Sequence, residues 1–210
     1  MEDVLCVYQR PYNPKRPMVC VDEKNKALHS HTKGREPLAV RPGDIERQDY
    51  EYKREGTANI FMATEPLAGK RRVRVTERRT GVDFAELLRV MVDEWYLDAE
   101  MVVLVTDNLN THGTWVLYER FCPQEAKRIA DKLEWHYTPE HGSWLNMAEI
   151  ELAALDGQCL DRRIADPQTL ASEATAWEHR RNAAHVTINW HFTTDDARIK
   201  LRHLYPIINI

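Results

Sequence analysis

Three acidic residues carry the chemistry this sequence could do. Asp22 closes the apolar run Met18, Val19, Cys20, Val21, and Asp107 closes the run MVVLVT from Met101 to Thr106. Both runs read as short buried strands bounded by polar residues. If they pair in parallel, the two aspartates end side by side. Glu149 lies in SWLNMAEIELAAL, which reads as a helix. Carboxylates gathered at one point repel one another and lose hydration, a cost that bound cations offset. Magnesium suits such a group, because it takes hard oxygen ligands and is usually held by one or two carboxylates together with substrate phosphate oxygens. Two such ions, roughly 3.5 to 4 Å apart, clamp the attacking and leaving oxygens of an in-line phosphoryl displacement. The chemistry this points to is cutting and joining of nucleic acid.

The helix itself argues for one glutamate over its neighbours. Leu145, Ala148, Leu152 and Leu155 form its apolar stripe, and Asn146 and Glu149, three residues apart, share a flank beside that stripe. Glu151 lies about 200° around the helix from Glu149 and points elsewhere. Glu140 sits in the preceding loop and is less firmly positioned. Taken singly, Asp22 and Asp107 are the strand-ending, turn-capping residues that aspartate often is. Their joint placement with Glu149 is what favours a site.

The remaining elements must position these acids. Pro11, Asn13, Pro14 and Pro17 lead as turn formers into the first strand. About 32–56 is dense in charge, with Pro37, Pro42 and Gly43, and reads as an inserted loop that could hold a short extra hairpin. Ala58 to Thr64 and Arg71 to Thr76 read as a hairpin turning at Pro66 and Gly69, with Val73 and Val75 inward. Thr80 or Asp83 caps a helix whose Phe84, Leu87, Leu88, Met91 and Trp95 follow core-facing spacing. After the Asp107 strand come a helical stretch over 114–133 broken near Pro123, a fifth strand Glu134 to Tyr137, and the Glu149 helix. Asp166 before Pro167 starts another helix, with Leu170, Ala174 and Trp177 inside, and Ala197 to Leu204 reads as a last short one. The fold class is therefore α/β: a mixed five-stranded sheet, three antiparallel strands and then two parallel ones, flanked by helices, which is the ribonuclease H order. A chain of 210 residues is most simply one domain.

Composition narrows the setting. No apolar stretch could span a bilayer and no signal sequence opens the chain, so a soluble cytoplasmic protein, associated with the nucleoid if it acts on bacterial DNA, is expected with no membrane partner. Cys6, Cys20, Cys122 and Cys159 have no paired spacing and read as reduced, mostly buried thiols. The net charge of −4 argues against gripping nucleic acid by bulk charge, so any contact must be local. The clusters around Lys70 to Arg74, Arg78 and Arg79, Arg162 and Arg163, Arg180 and Arg181, and Arg198 to Arg202 read first as solvated faces. His29 and His31 fit a polar strand better than a metal site, HGSW around Ser143 is no serine-hydrolase elbow, and Trp135 and Trp144 fit core or rim packing, with stacking on a flipped base as the alternative.

Three motifs in order carry a specific resemblance over nearly the whole chain: VCVDE with Asp22 and Glu23, VTDNLNTH with Asp107, Asn108 and His112, and HYTPEHGSWLNMAEIE with Asn146 and Glu149. Together with QCLDRRI and FTTDDARIKLRHLYP, they resemble the catalytic domain of DDE transposases, of the mariner superfamily and its bacterial insertion sequence 630 family. The resemblance implies a ribonuclease H-like fold and two magnesium ions, with manganese as a substitute. It also implies cleavage of double-stranded DNA at transposon ends and transfer of the freed 3′ hydroxyl into target DNA at a TA step. In that arrangement Asp22 would bridge both metals, Asp107 hold one and Glu149 the other. Glu23, Asn108, His112 and Asn146 could orient these ligands, although helix capping and loop hydrogen bonding explain such residues equally well.

Two departures from the family pattern stand out. Residues 108–148 separate the second and third acids, a longer gap than is usual for mariner. The helix-turn-helix modules that recognise transposon ends are expected to be absent from this chain, which leaves them to a separate partner or to the product of an upstream reading frame. Mariner-like relatives imply a homodimer pairing two ends. A ribonuclease H-like structure-specific nuclease without strand transfer, and an inactive transposase relic that only binds, remain the alternatives.

Overall fold

A computed structural model describes residues 1–33 and 50–205. Its centre is a five-stranded sheet in the order β3-β2-β1-β4-β5, built from β1 (Met18–His31), β2 (Tyr52–Glu65), β3 (Lys70–Thr76), β4 (Val102–Thr106) and β5 (Leu133–Tyr137). β1 pairs antiparallel with β2 and β2 with β3, whereas β4 runs parallel to both β1 and β5. This is the expected ribonuclease H-like mixed sheet. Gly69 closes the β2–β3 turn at φ 63°, and a Cβ there would stand 2.8 Å from the carbonyl carbon of His185, so the turn needs the residue that has none.

Alternation divides the sheet into two cores. Met18, Cys20, Ile60, Met62, Val103 and Val105 face α1 (Glu2–Tyr8), α5 (Met147–Leu155) and α6 (Pro167–Ala183). Val19, Val21, Phe61, Ala63, Val102 and Leu104 face α2 (Gly81–Val90), α3 (Trp115–Arg120) and α4 (Pro123–Asp131). Both faces of the sheet's centre are dry, which is why β4 reads as one unbroken apolar run. The last helix, α7 (Thr194–Lys200), packs on α1.

Several elements differ from what the sequence suggests. β1 does not stop at Asp22 but continues to His31, and β2 starts at Tyr52. The apolar run marks only the part of β1 buried on both faces; beyond Asp22 the strand is paired but mostly half-exposed, and apart from Ala27 and the buried Leu28 its residues are polar. The segment read as an inserted loop is therefore strand at its end, while residues 34–49 lie outside the described residues. Ahead of the turn formers at Pro11 to Pro17 the chain adds an element the sequence does not announce, α1, whose Val4, Leu5, Val7 and Tyr8 bury a compact apolar patch. Arg71, expected on a solvated face, is fully buried: its Nε lies 3.2 Å from Glu151, which also takes two hydrogen bonds from Arg181 (2.7 and 3.0 Å). Of the cysteines, Cys20 and Cys159 are buried but Cys6 and Cys122 are exposed.

Candidate active site

The carboxyl end of the two central parallel strands gathers the acids. Along the β1–β4 ladder Met18 faces Val103 and Cys20 faces Val105, a register that carried two residues further sets Asp22 toward Asp107, which directly follows β4. Asp22 is buried within β1, paired across the sheet with Met62. Glu149 stands exposed in the first turn of α5, the helix that covers this face of β1 and β2.

Asn146 fixes where that helix begins. Its side-chain oxygen accepts from the Ala148 N–H at 3.1 Å, capping α5, and its amide donates to the Val21 carbonyl at 2.8 Å. One buried side chain thus ties the start of the Glu149 helix to the residue beside Asp22. Tyr8 adds a second tie, its hydroxyl donating to the Leu145 carbonyl at 2.5 Å.

The electrostatics show that Asp22 feels the other two acids. Burial raises the Asp22 carboxyl to about 7, against the Glu23 N–H that donates to it at 2.8 Å, and repulsion from Glu149, Asp107 and Glu23 adds to the rise. A carboxylate so placed is uncomfortable unless positive charge joins it.

Asp107 is held by a histidine. His112 is buried, its ring packed 4.3 Å from that of Phe84. Its Nδ1 meets the Asp107 carboxylate and lies 3.2 Å from the Thr106 hydroxyl, while its Nε2 stands 2.9 Å from Glu23 Oε2. That second contact has ion-pair distance without hydrogen-bond alignment, and Glu23 Oε2 has no hydrogen-bond partner. Burial opposes charge on the ring, but Asp107 and Glu23 more than offset it and raise His112 to about 9. Glu23 follows Asp22 in the strand and so leaves by the opposite face, where Arg79 approaches it at 3.8 Å.

The loops after β4 and β5 enclose a cleft of about 400 Å³ lined by Asp107, Asn108, Leu109, Thr138, Glu140 and Ser143, among others. Asn108 is exposed on its wall. Hollows of about 450 and 460 Å³ open at the other end of the sheet, around Arg16, Glu134 and Arg72, and none of the three acids lines them. The remaining candidates separate cleanly. Glu151 is buried in its arginine pair, Glu140 is exposed on the loop, His29 stacks on Tyr52 at 4.2 Å, and His31 receives Arg163 at 3.0 Å. Trp135 packs in the core beneath α2, and Trp144 lies half-exposed against Trp190. Neither the Arg71–Glu151–Arg181 cluster nor the bond from Asn146 to Val21 is legible in the sequence, since both join residues far apart in the chain.

Among the described residues no three histidine, cysteine, aspartate or glutamate side chains are drawn together tightly enough to hold an ion by themselves. The donor set of hard carboxylate oxygens still fits an ion that takes one or two carboxylates and completes its shell with water and phosphate oxygens.

A family model, that of the DDE superfamily endonucleases, matches residues 17–171. The chain belongs to this family. The matched span takes in Asp22, Asp107 and Glu149 and the elements that carry them. Among solved structures, the DDE domain is similar to the mariner Mos1 paired-end complex with Mg, at 15% identity and a TM-score of 0.50, over 89% of this chain and 60% of that one. The Mos1 strand transfer complex matches at 12% identity and a TM-score of 0.36, over 89% and 60%. The chain therefore spans 60% of the length of the Mos1 chains it matches. No curated protein matches it. No described helix of the DDE domain is long and apolar enough to cross a membrane.

Proposed function

We propose that this DDE endonuclease domain is the catalytic domain of a transposase of mariner and insertion sequence 630 type, with Asp22, Asp107 and Glu149 as its metal-holding catalytic acids. The observation that carries this reading is the buried Asp22 carboxyl, raised to about 7 by desolvation and by Glu149 and Asp107, at the end of a ribonuclease H-like sheet. Bound magnesium, or manganese in its place, would supply the positive charge that lets the buried Asp22 ionise beside the other two acids and would polarise the scissile phosphate and the attacking water.

The residues of the chain have separable tasks. Asp22, on the rigid centre of the sheet, is the fixed ligand. Asp107 sits on a loop and owes its orientation to His112, itself braced by Glu23. Glu149 is exposed and is set by the Asn146 cap rather than by burial. The cleft beside Asp107 and Asn108 receives the nucleic-acid backbone. Water attacks a phosphodiester at a transposon end and frees a 3′ hydroxyl; that hydroxyl then attacks a target phosphodiester at a TA step, with no covalent protein intermediate. Double-stranded DNA is the substrate in both steps. Two protomers would pair two transposon ends, with helix-turn-helix modules recognising the end sequences.

The test is nicking of supercoiled plasmid with magnesium or manganese by the wild type and by Asp22→Ala, Asp107→Asn and Glu149→Gln. Each variant should lose nicking by several orders of magnitude while staying folded, and activity surviving all three changes would refute the mechanism. Joining of a pre-cut end to a target plasmid then separates a transposase from a plain nuclease.

A further inference from the structure

Past Asp22, the same face of β1 carries two cations. Lys24 and Lys26 follow Asp22 at every second residue, so the three side chains leave the sheet on the side covered by α5, at steps of roughly 6.8 Å. The helix runs alongside this row. Asn146 at its start is bonded to Val21, and Asp156 just past its end is bonded to Lys24. Glu149, Ala153 and Asp156 share one stripe of that helix, and Glu149 and Ala153 are exposed. Strand row and helix row therefore run side by side. The acids lie at one end of these rows, and toward the other is a hollow of about 270 Å³ lined by Lys24, Lys26, Asp156, Gly157, Leu160 and Asp161.

The fold has little need of these lysines. The side chains of Lys24 and Asp156 are 40% and 36% exposed, and an ion pair so open to water contributes roughly 0–1 kcal/mol. Lys26 donates to the Leu160 carbonyl at 2.7 Å, which takes one of the three donors of its ammonium. The chain as a whole is acidic, so a polyanion has to find its cations locally, and these two stand in line with the acid that would hold the reacting phosphate. Asp156 presents to Lys24 the same kind of anionic oxygen that a phosphodiester would.

We propose that Lys24 and Lys26 bind the backbone phosphates flanking the scissile one, and that Asp156 occupies Lys24 until a phosphate displaces it. The partner is a nucleic-acid strand, recognised by its backbone and not by its sequence. The assignment rests on the reading of Asp22 and Glu149 as catalytic acids, which fixes where the scissile phosphate lies.

The test measures binding of a short fluorescent duplex by anisotropy between 50 and 200 mM salt, for the wild-type chain and for Lys24→Ala, Lys26→Ala, Asp156→Asn and the Lys24→Ala/Asp156→Asn double variant. Loss of one phosphate contact lowers the slope of log affinity against log salt by about 0.9, so the advantage of wild type over Lys24→Ala shrinks about 3.5-fold across that range. Asp156→Asn should tighten binding, and the double variant should bind like Lys24→Ala. Wild-type slopes for both lysine variants, or an Asp156→Asn affinity equal to wild type, would overturn the assignment. Failure of the catalytic reading would look different: nicking would survive Asp22→Ala, whatever the salt slopes showed.

Discussion

Glu149 and Glu151 are two residues apart on one helix, and exchanging their fates is the sharpest way to challenge the choice of third acid. Glu151 has no exposed side-chain surface, accepts two hydrogen bonds from Arg181 and lies against the Arg71 guanidinium, which is itself fully buried. Glu151→Ala removes the carboxylate paired with Arg71 and leaves a buried cation whose Nη1 already lacks a hydrogen-bond partner. Breaking a buried pair from one side costs about 3–5 kcal/mol, against a total stability on the order of 5–15 kcal/mol. For a chain of this size that lowers Tm by roughly 6–20 °C. Glu149→Gln changes an exposed side chain and should stay within about 0.5 kcal/mol of wild type, while relieving repulsion on Asp22. Thermal and urea unfolding followed by circular dichroism, beside plasmid nicking, read both quantities. The expected pattern is a stable, inactive Glu149→Gln and an unstable Glu151→Ala that regains nicking when assayed cold enough to fold. A folded, inactive Glu151 variant beside an active Glu149→Gln would refute the reasoning.

Three further outcomes follow from the same contacts. The folded-state carboxyl of Asp22 is raised above its unfolded value, so wild-type stability should fall as pH rises from about 4 to about 7; Asp22→Asn removes that fall and in urea unfolding should be more stable than wild type at pH 7.5 by up to about 4 kcal/mol, yet match it near pH 4. His112 is raised too, contributing stability below about 6.5 that is lost as pH climbs through about 9; His112→Ala should flatten that limb of the stability curve, leave the buried Glu23 to Arg79 at 3.8 Å, and weaken manganese binding about 10–100-fold by calorimetry. Asn146→Ala loses the α5 cap, about 1 kcal/mol, and orphans the Val21 carbonyl, about 1–3 kcal/mol more; denaturant titration should show the sum, and nicking should drop beyond what the unfolded fraction explains.

The sheet was legible because each of its strands carries either an unbroken apolar run or a clear alternation, and because Thr80 with Asp83 and Asp166 with Pro167 are strong helix starts that the structure bears out as a capping box and a capped, Pro-initiated helix. The placement of Glu149 beside the apolar stripe of its helix was legible for the same reason. What escaped depends on partners distant in sequence. α1 has seven residues and no side-chain cap, so packing and not propensity makes it helical. The continuation of β1 past Asp22 is mostly polar and exists because β2 pairs with it as far as His31. Arg71 looks like any member of a basic run until Glu151 and Glu178 from two other helices surround it. The last helix begins earlier than expected, at Thr194, because Thr193 and Asp196 form a second capping box.

The central claim is that Asp22, Asp107 and Glu149 jointly hold divalent ions against a phosphate, and manganese reports it most directly. Crystals of the chain with Mn²⁺ and a short duplex, measured at the manganese edge, should show anomalous peaks in contact with oxygens of Asp22, Asp107 and Glu149 and with one phosphate of the duplex. Peaks that avoid these three side chains, in a complex that still nicks DNA when dissolved, would contradict it.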